Sequence, residues 1–238
     1  MAIFVPVARI VILAAALCCG LARANAHPSE LSPSSKNDGD DGKRVSSEPF
    51  GRQLTTAPLN DFSAKWAELQ SRILAEQGML AACRSGQESC PAAARLFLRI
   101  IELGRQHEGR ARLGEINRAV NLSIKPVSDW AQYGTADFWS APLDTLRTGA
   151  GDCEDYAIVK YVALRDAGVT PDDLRLVIVR DVRRNVEHAV VAVRNNDEWL
   201  ILDNRTLMMV NADEARHYFP LFMLDERGVR AVWTAARR

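Results

Sequence analysis

What the sequence lacks narrows it first. It carries no excess charge, because thirty lysines and arginines balance thirty aspartates and glutamates. No strong field therefore draws in nucleic acid or an anionic membrane surface, and neither is expected as a partner. There is no His-Glu-x-x-His, no zinc-ribbon cysteine spacing and no glycine-rich phosphate loop, so those metal and nucleotide motifs are excluded. No internal repeat is visible. Long apolar runs are scarce as well. The one from Ile10 to Cys19 follows Arg9 and is too short to span a bilayer comfortably as a helix.

That run fits a different purpose. Ala24-Asn25-Ala26 supplies the small-x-small pattern of a cleavage site, so residues 1–26 are expected to be a secretory signal, with an uncleaved anchor as the alternative. Bulky Leu17 before Cys18 argues against a lipoprotein cysteine. Cleavage after Ala26 leaves 28 basic against 30 acidic residues, a formal charge of −2. It also removes Cys18 and Cys19, leaving Cys83, Cys90 and Cys153. In an oxidising compartment three cysteines imply one disulfide and one free thiol. Cys83 and Cys90 lie close enough in sequence to pair around a turn, which leaves Cys153 unpaired.

Residues 27–60 are rich in Ser, Pro, Gly, Asn and Asp and are expected to be a disordered leader. Asn37 to Gly42 lacks the alternate-position ligands and closing glutamate of a calcium loop and reads as a solvated acidic turn. The remainder, 61–238, is of a size for one domain with a substantial core. Its first part is helical by periodicity. Phe62, Trp66, Leu69 and Ile73 form one stripe, and Leu96, Phe97, Ile100 and Ile101 after Pro91 form a second. Leu113, Ile116, Ala119 and Val120 make a third. An aromatic-rich connection runs from Lys125 to Ala141, and a short helix capped by Ser140 follows from Pro142 to Leu146. After Gly168 the period changes to two: Leu174–Arg180, Glu187–Val193 and Trp199–Asp203 read as strands joined by short turns, hence antiparallel. Leu221–Leu224 and Val229–Trp233 add two more. Helices first and then an antiparallel sheet is the α+β class.

Between the two parts stands Gly149-Ala150-Gly151-Asp152-Cys153-Glu154-Asp155-Tyr156, followed by a densely apolar helix to Gly168. A thiol in the first turn of a helix meets unpaired N–H groups and positive dipole, which lowers its pKa. The plainer reading is a buried free cysteine beside solvated acids. His188, 35 residues on, and Asp203, 15 further, fall on adjacent strands and give that thiol a base and an orienting acid. Backbone N–H groups at the helix start would receive an oxyanion.

These residues also carry a resemblance. Val120-Asn121, Ser128-Asp129, Gly134 to Trp139, Pro142, Gly151 to Tyr161, Leu174-Arg175, His188 and Leu202-Asp203-Asn204 make the chain similar to the bacterial transglutaminase-like cysteine proteinases, which include the LapG-type periplasmic proteases. The resemblance implies a papain-like, transglutaminase-type core and a Cys–His–Asp triad on Cys153, His188 and Asp203. It implies calcium held by Asp152 and Glu154, with Asp155 as a helper; simple complementation of the helix dipole is the other reading of those acids. It further implies a periplasmic endopeptidase that cuts a large surface adhesin at adjacent small residues, releases biofilm cells, and is sequestered by an inner-membrane receptor for cyclic di-GMP. An acyltransferase or amidase using the same thioester, or a non-catalytic periplasmic binding module, are the alternatives.

Overall fold

The computed structural model describes residues 48–57, 61–86 and 89–233. The expected signal at 1–26, its cleavage site and the acidic turn at 37–42 lie outside the described residues. A 3-10 turn (Pro49–Gly51) leads into β1 (Leu54–Thr56). Three helices follow: α1 (Asp61–Ser85), α2 (Ala92–Arg105) and α3 (Gly109–Ser123). The connection then holds β2 (Lys125–Pro126), α4 (Asp129–Tyr133), α5 (Pro142–Thr148) and β3 (Ala150–Gly151). After α6 (Cys153–Asp166) the chain is β-rich: β4 (Leu174–Asp181), β5 (Val186–Asn195), β6 (Glu198–Leu202), β7 (Val210–Asn211), β8 (Tyr218–Asp225) and β9 (Gly228–Val232). The α+β expectation holds.

Seven strands form one antiparallel sheet in the order β1-β9-β8-β4-β5-β6-β7. Strand alternation divides its side chains. Leu176, Val191, Val193, Leu200 and Leu202 join the helices in the larger core, while Val177, Val179, Val190, Ala192 and Ile201 pack on the other face with Trp199 and Tyr218. Helix α6 lies in the larger core and is buried along most of its length, as its apolar sequence requires. Helices α2 and α3 cross closely at Gly104, where a Cβ would stand 2.5 Å from the tip of Ile116. Among the described residues no helix is long and apolar enough to cross a membrane.

Residues 48–57, read above as the end of a disordered leader, are part of this fold. Arg175, 3% exposed on β4, donates to both carboxylate oxygens of Glu48 at 2.9 and 3.1 Å, and β1 pairs with β9 from Leu54↔Val232 to Thr56↔Arg230. A buried guanidinium needs such partners, and the leader's end supplies one. Cys83 and Cys90 are joined in a disulfide, and Cys153 is the free cysteine.

Candidate active site

The start of α6 is fixed by the backbone before it. Helix α5 closes on Gly149, whose φ of 64° is left-handed. Strands β2 and β3 then pair in parallel, with Lys125 N–H donating to Gly149 O at 2.9 Å and Val127 N–H to Gly151 O at 3.0 Å. Gly151 is required for contact rather than for φ: a Cβ there would meet Asp155 Oδ2 at 2.5 Å and Asp155 Cβ at 2.7 Å. Gly151→Ala is therefore expected to cost about 1–3 kcal/mol, as overpacking does elsewhere. A thermal melt unchanged from wild type would refute that reading. The cap of α5 is Ala141 rather than Ser140. Ser140 instead donates its N–H to Asp155 Oδ1 at 2.9 Å, and its hydroxyl meets Tyr133 Oη at 3.0 Å.

Cys153 opens α6 and His188 sits near the start of β5; both line a cleft of about 290 Å³ together with Ala189, Phe62, Trp139 and Glu154. His188 is 2% exposed, and its Nε2 lies 2.9 Å from Asp203 Oδ1, just past the end of β6. Burial pushes the Asp203 carboxyl up. The imidazole, the Tyr218 hydroxyl donating to Oδ2 and the Arg205 N–H donating to Oδ1 outweigh it and hold the group well below the usual carboxylate range. An ionised Asp203 only accepts, so Nε2 carries the proton. Nδ1, buried and without a hydrogen-bond partner, is then the free base. The structure thus joins His188 to Asp203 directly and brings Cys153 to the same cleft.

Tyr218 was not singled out from sequence, where it precedes the expected strand at Leu221. Its hydroxyl holds the second oxygen of Asp203. Removing a hydrogen bond to a charged group forfeits about 1.5–3 kcal/mol. Tyr218→Phe is accordingly expected to lower kcat by about ten- to a hundredfold with KM little changed, measured by peptide-cleavage kinetics.

The thiol departs from the sequence expectation. Position at a helix start does not lower its pKa on balance. Burial raises it first, and the Glu154 charge, the thiol's hydrogen bond to Glu154 Oε2 at 3.2 Å and the Asp152 charge add to that. The Ala189 backbone N–H is the opposing influence. The acids are themselves strained. Burial, then the hydrogen bond and charge of Asp152, push Glu154 up to about 9. Burial, relieved by the Ser140 N–H and reinforced by Asp152 and Asp129, pushes Asp155 up to about 7.

Two further carboxylates join them from the aromatic connection. Asp129, 2% exposed, accepts the Phe138 N–H through Oδ2, and burial together with Asp152 and Asp137 raises its pKa. Asp137 pairs with Lys65 of α1. Asp129, Asp152 and Asp155 each offer an oxygen within 4.8 Å of the others, and so do Asp129, Asp137 and Glu154. One carboxylate oxygen of each of Asp129, Asp152 and Asp155 is buried with no hydrogen-bond partner, and Asp152, the residue before α6, makes no side-chain cap. Several convergent, donor-less carboxylate oxygens are what a hard divalent cation requires, so this acidic cluster could hold a metal. The sequence reading found Asp152, Glu154 and Asp155 but not Asp129 or Asp137 as cluster members. Their signal was an acid at each end of a connection whose other large residues are aromatic.

Comparison with protein-family models matches residues 71–235 to the bacterial transglutaminase-like cysteine proteinases. The chain belongs to that family and is a transglutaminase-like cysteine peptidase, with protein as its substrate class. Among solved structures, Legionella pneumophila LapG is similar at 23% identity and a TM-score of 0.54, over 65% of this chain and 86% of that one. Its calcium-bound form is 24% identical with a TM-score of 0.54, over 67% of this chain and 89% of that one. The EGTA-treated form is 22% identical with a TM-score of 0.55, over 68% and 87%. At these identities the likeness is one of fold. Comparison with curated proteins returns no match.

Proposed function

We propose that the chain is an exported, calcium-dependent endopeptidase in which Cys153, His188 and Asp203 act as a triad. The observation that carries this is the 2.9 Å contact of His188 Nε2 with Asp203, which leaves the buried Nδ1 free beside the Cys153 cleft. Nδ1 takes the thiol proton as sulfur attacks the scissile carbonyl carbon. Backbone N–H groups at the start of α6 receive the oxyanion, and the imidazolium gives its proton to the departing amine. Water, deprotonated by the same nitrogen, then releases the second product from the thioester. Asp203 keeps the imidazole in the required tautomer throughout.

Asp152, Glu154 and Asp155, joined by Asp129, are the residues that would hold calcium; its charge would neutralise the carboxylates that raise the thiol. A LapG structure described as calcium-bound supports the choice of ion. The Cys83–Cys90 disulfide supports an oxidising compartment, which with the expected signal gives the periplasm. A surface adhesin cut at adjacent small residues is the substrate to try first, and a cyclic di-GMP receptor of the inner membrane the regulator. The test incubates purified protein with adhesin fragments, with and without a chelator, and reads products by mass spectrometry. New termini that vanish on chelation are expected. Isopeptide cross-links instead of termini overturn hydrolysis in favour of acyl transfer, and cleavage indifferent to the chelator removes the calcium.

A further inference from the structure

Tyr218, the first residue of β8, has one hydroxyl proton, and it goes to Asp203 Oδ2. A phenolic O–H can donate or accept, so what stands on the oxygen's other side decides where that proton points. The guanidinium of Arg205 stands there and hydrogen-bonds the Tyr218 oxygen. A guanidinium carries donors only, so the phenol is the acceptor in that bond and its own proton is left for the carboxylate. Burial first, and then the bond and charge of Asp203, keep the phenol protonated; Arg205 opposes them without prevailing. The backbone of the same residue serves the other oxygen. Arg205 N–H donates at 3.0 Å to Asp203 Oδ1, the atom that His188 Nε2 meets at 2.9 Å. Arg205 therefore acts on the orienting acid twice, directly through its backbone and indirectly through Tyr218.

Arg205 is itself held. Its Nη1 donates to Asp181 Oδ2 at 2.8 Å, and Asp181 is buried at the end of β4 as the register partner of Tyr218. The N–H groups of Arg183 and Arg184 donate to Asp181 Oδ1 at 3.1 and 3.3 Å, and Val182 N–H donates to His217 O at 2.9 Å. These bonds fix the Asp181 carboxylate and the start of β8 to one corner of the sheet. A buried carboxylate needs a cation beside it, and Arg184 Nη1 already supplies one at 3.1 Å, from a side chain more than half exposed. A second arginine on the same oxygen exceeds what charge balance requires. What Arg205 adds is reach, because its planar fork spans Asp181 and Tyr218 together.

We propose that Arg205 is a positioning residue for the peptidase reaction: anchored on Asp181, it donates to the Tyr218 oxygen and so directs the phenol's proton onto Asp203, the carboxylate that holds His188. This rests on the triad reading above. The support for the imidazole then runs through four contacts, from Asp181 on β4 to Arg205 after β6, to Tyr218 on β8, to Asp203 and to His188 on β5.

The test is kinetics of the full chain on an adhesin fragment that it cuts. Arg205→Met, which leaves the backbone N–H on Asp203 in place, is expected to lower kcat about tenfold with KM within about twofold. Arg184→Met removes the other cation from Asp181 and is expected to keep kcat within about twofold of wild type. Arg205→Met combined with Tyr218→Phe is expected to be no slower than Tyr218→Phe alone, since no proton remains to direct. Losses that multiply overturn the proposal, and so does a tenfold loss in Arg184→Met, which would make charge on Asp181 the cause. Arg205→Lys decides the matter if Arg205→Met does not fold: its single nitrogen keeps the charge on Asp181 without the fork, and wild-type kcat in it overturns the proposal. The Tyr218 hydroxyl proton, assigned in the downfield 1H NMR spectrum by its loss in Tyr218→Phe, is expected to shift upfield or vanish in Arg205→Lys. If the wild-type chain cleaves nothing, the peptidase reading fails alone, while an unmoved hydroxyl resonance still overturns the role given to Arg205.

Discussion

Cys153→Ala is expected to abolish cleavage, with kcat down by about 10⁴-fold or more, while the protein melts within a degree or two of wild type. In the proposed mechanism sulfur is the atom that bonds to the substrate, and no other residue lining the cleft offers a comparable nucleophile. The side chain is small and partly accessible, so its loss leaves little cavity. His188→Ala is expected to match it, because a thiol raised by burial and by Glu154 does not ionise unaided. Asp203→Asn is expected to cost about 10⁴-fold as well, since an amide can present N–H to Nε2 and so place the imidazole proton on Nδ1. Members of one unit do not add. The triple variant should therefore be no slower than Cys153→Ala alone. Cleavage by Cys153→Ala at a tenth of the wild-type rate would remove the thiol from the mechanism.

Chelation should produce the second large effect, and pH should tune it. Asp155 and Glu154 stand at about 7 and about 9, above their ordinary 3.8 and 4.5. A carboxyl whose folded pKa is raised binds its proton more tightly in the folded state. Its favourable share is complete at acid pH and is lost as pH climbs from about 4 toward 9. Asp203 runs the opposite way: held below 3.8, it contributes at neutral pH and ceases to as pH falls through its folded value. Calcium bound there, as proposed, would compete with the protons on the raised group and would stabilise most where those acids are ionised. At a hundredfold excess over Kd it adds about 2.7 kcal/mol, roughly 5–10 °C in Tm for a domain of this size. Differential scanning calorimetry with calcium or EGTA should show a gap that widens from pH 5 to pH 8. Asp129→Asn or Asp155→Asn should narrow it. Identical melting curves at pH 8 with and without EGTA would end the case for the ion.

Much of this molecule was legible in the sequence because its elements are locally determined. The stripes at Trp66, Phe97 and Ile116 became α1, α2 and α3, and the alternation at Leu174, Val190 and Leu200 became β4, β5 and β6. What escaped depends on partners far along the chain. β1 is a polar Leu-Thr-Thr whose order comes from β9 and from Glu48 meeting Arg175. The insertion of β8 beside β4 breaks the sequential pairing that short turns suggest. At the site, the sequence offers Cys153, His188 and Asp203 as candidates, and the fold sets His188 on Asp203 and Cys153 in the same cleft; Tyr218 and Asp129 join through contacts made far along the chain, which the sequence marks weakly or not at all. The thiol shows a local rule losing to crowding: the dipole of α6 is real, but two carboxylates and burial oppose it.

The sheet's two margins carry a consequence for behaviour in a crowded compartment. One margin is β1, three residues long, and the other is β7, two residues long. Long bare strand edges invite pairing with other chains, and short ones offer too few N–H and C=O groups to hold a visitor. The long strands β4 and β5, with their runs of valine, are enclosed by neighbours on both sides. The segment most prone to aggregate is thus the one least able to meet another copy unless the fold opens. Loss of β1 by truncation to residue 57 should bare β9, and light scattering on storage should rise above that of the full chain.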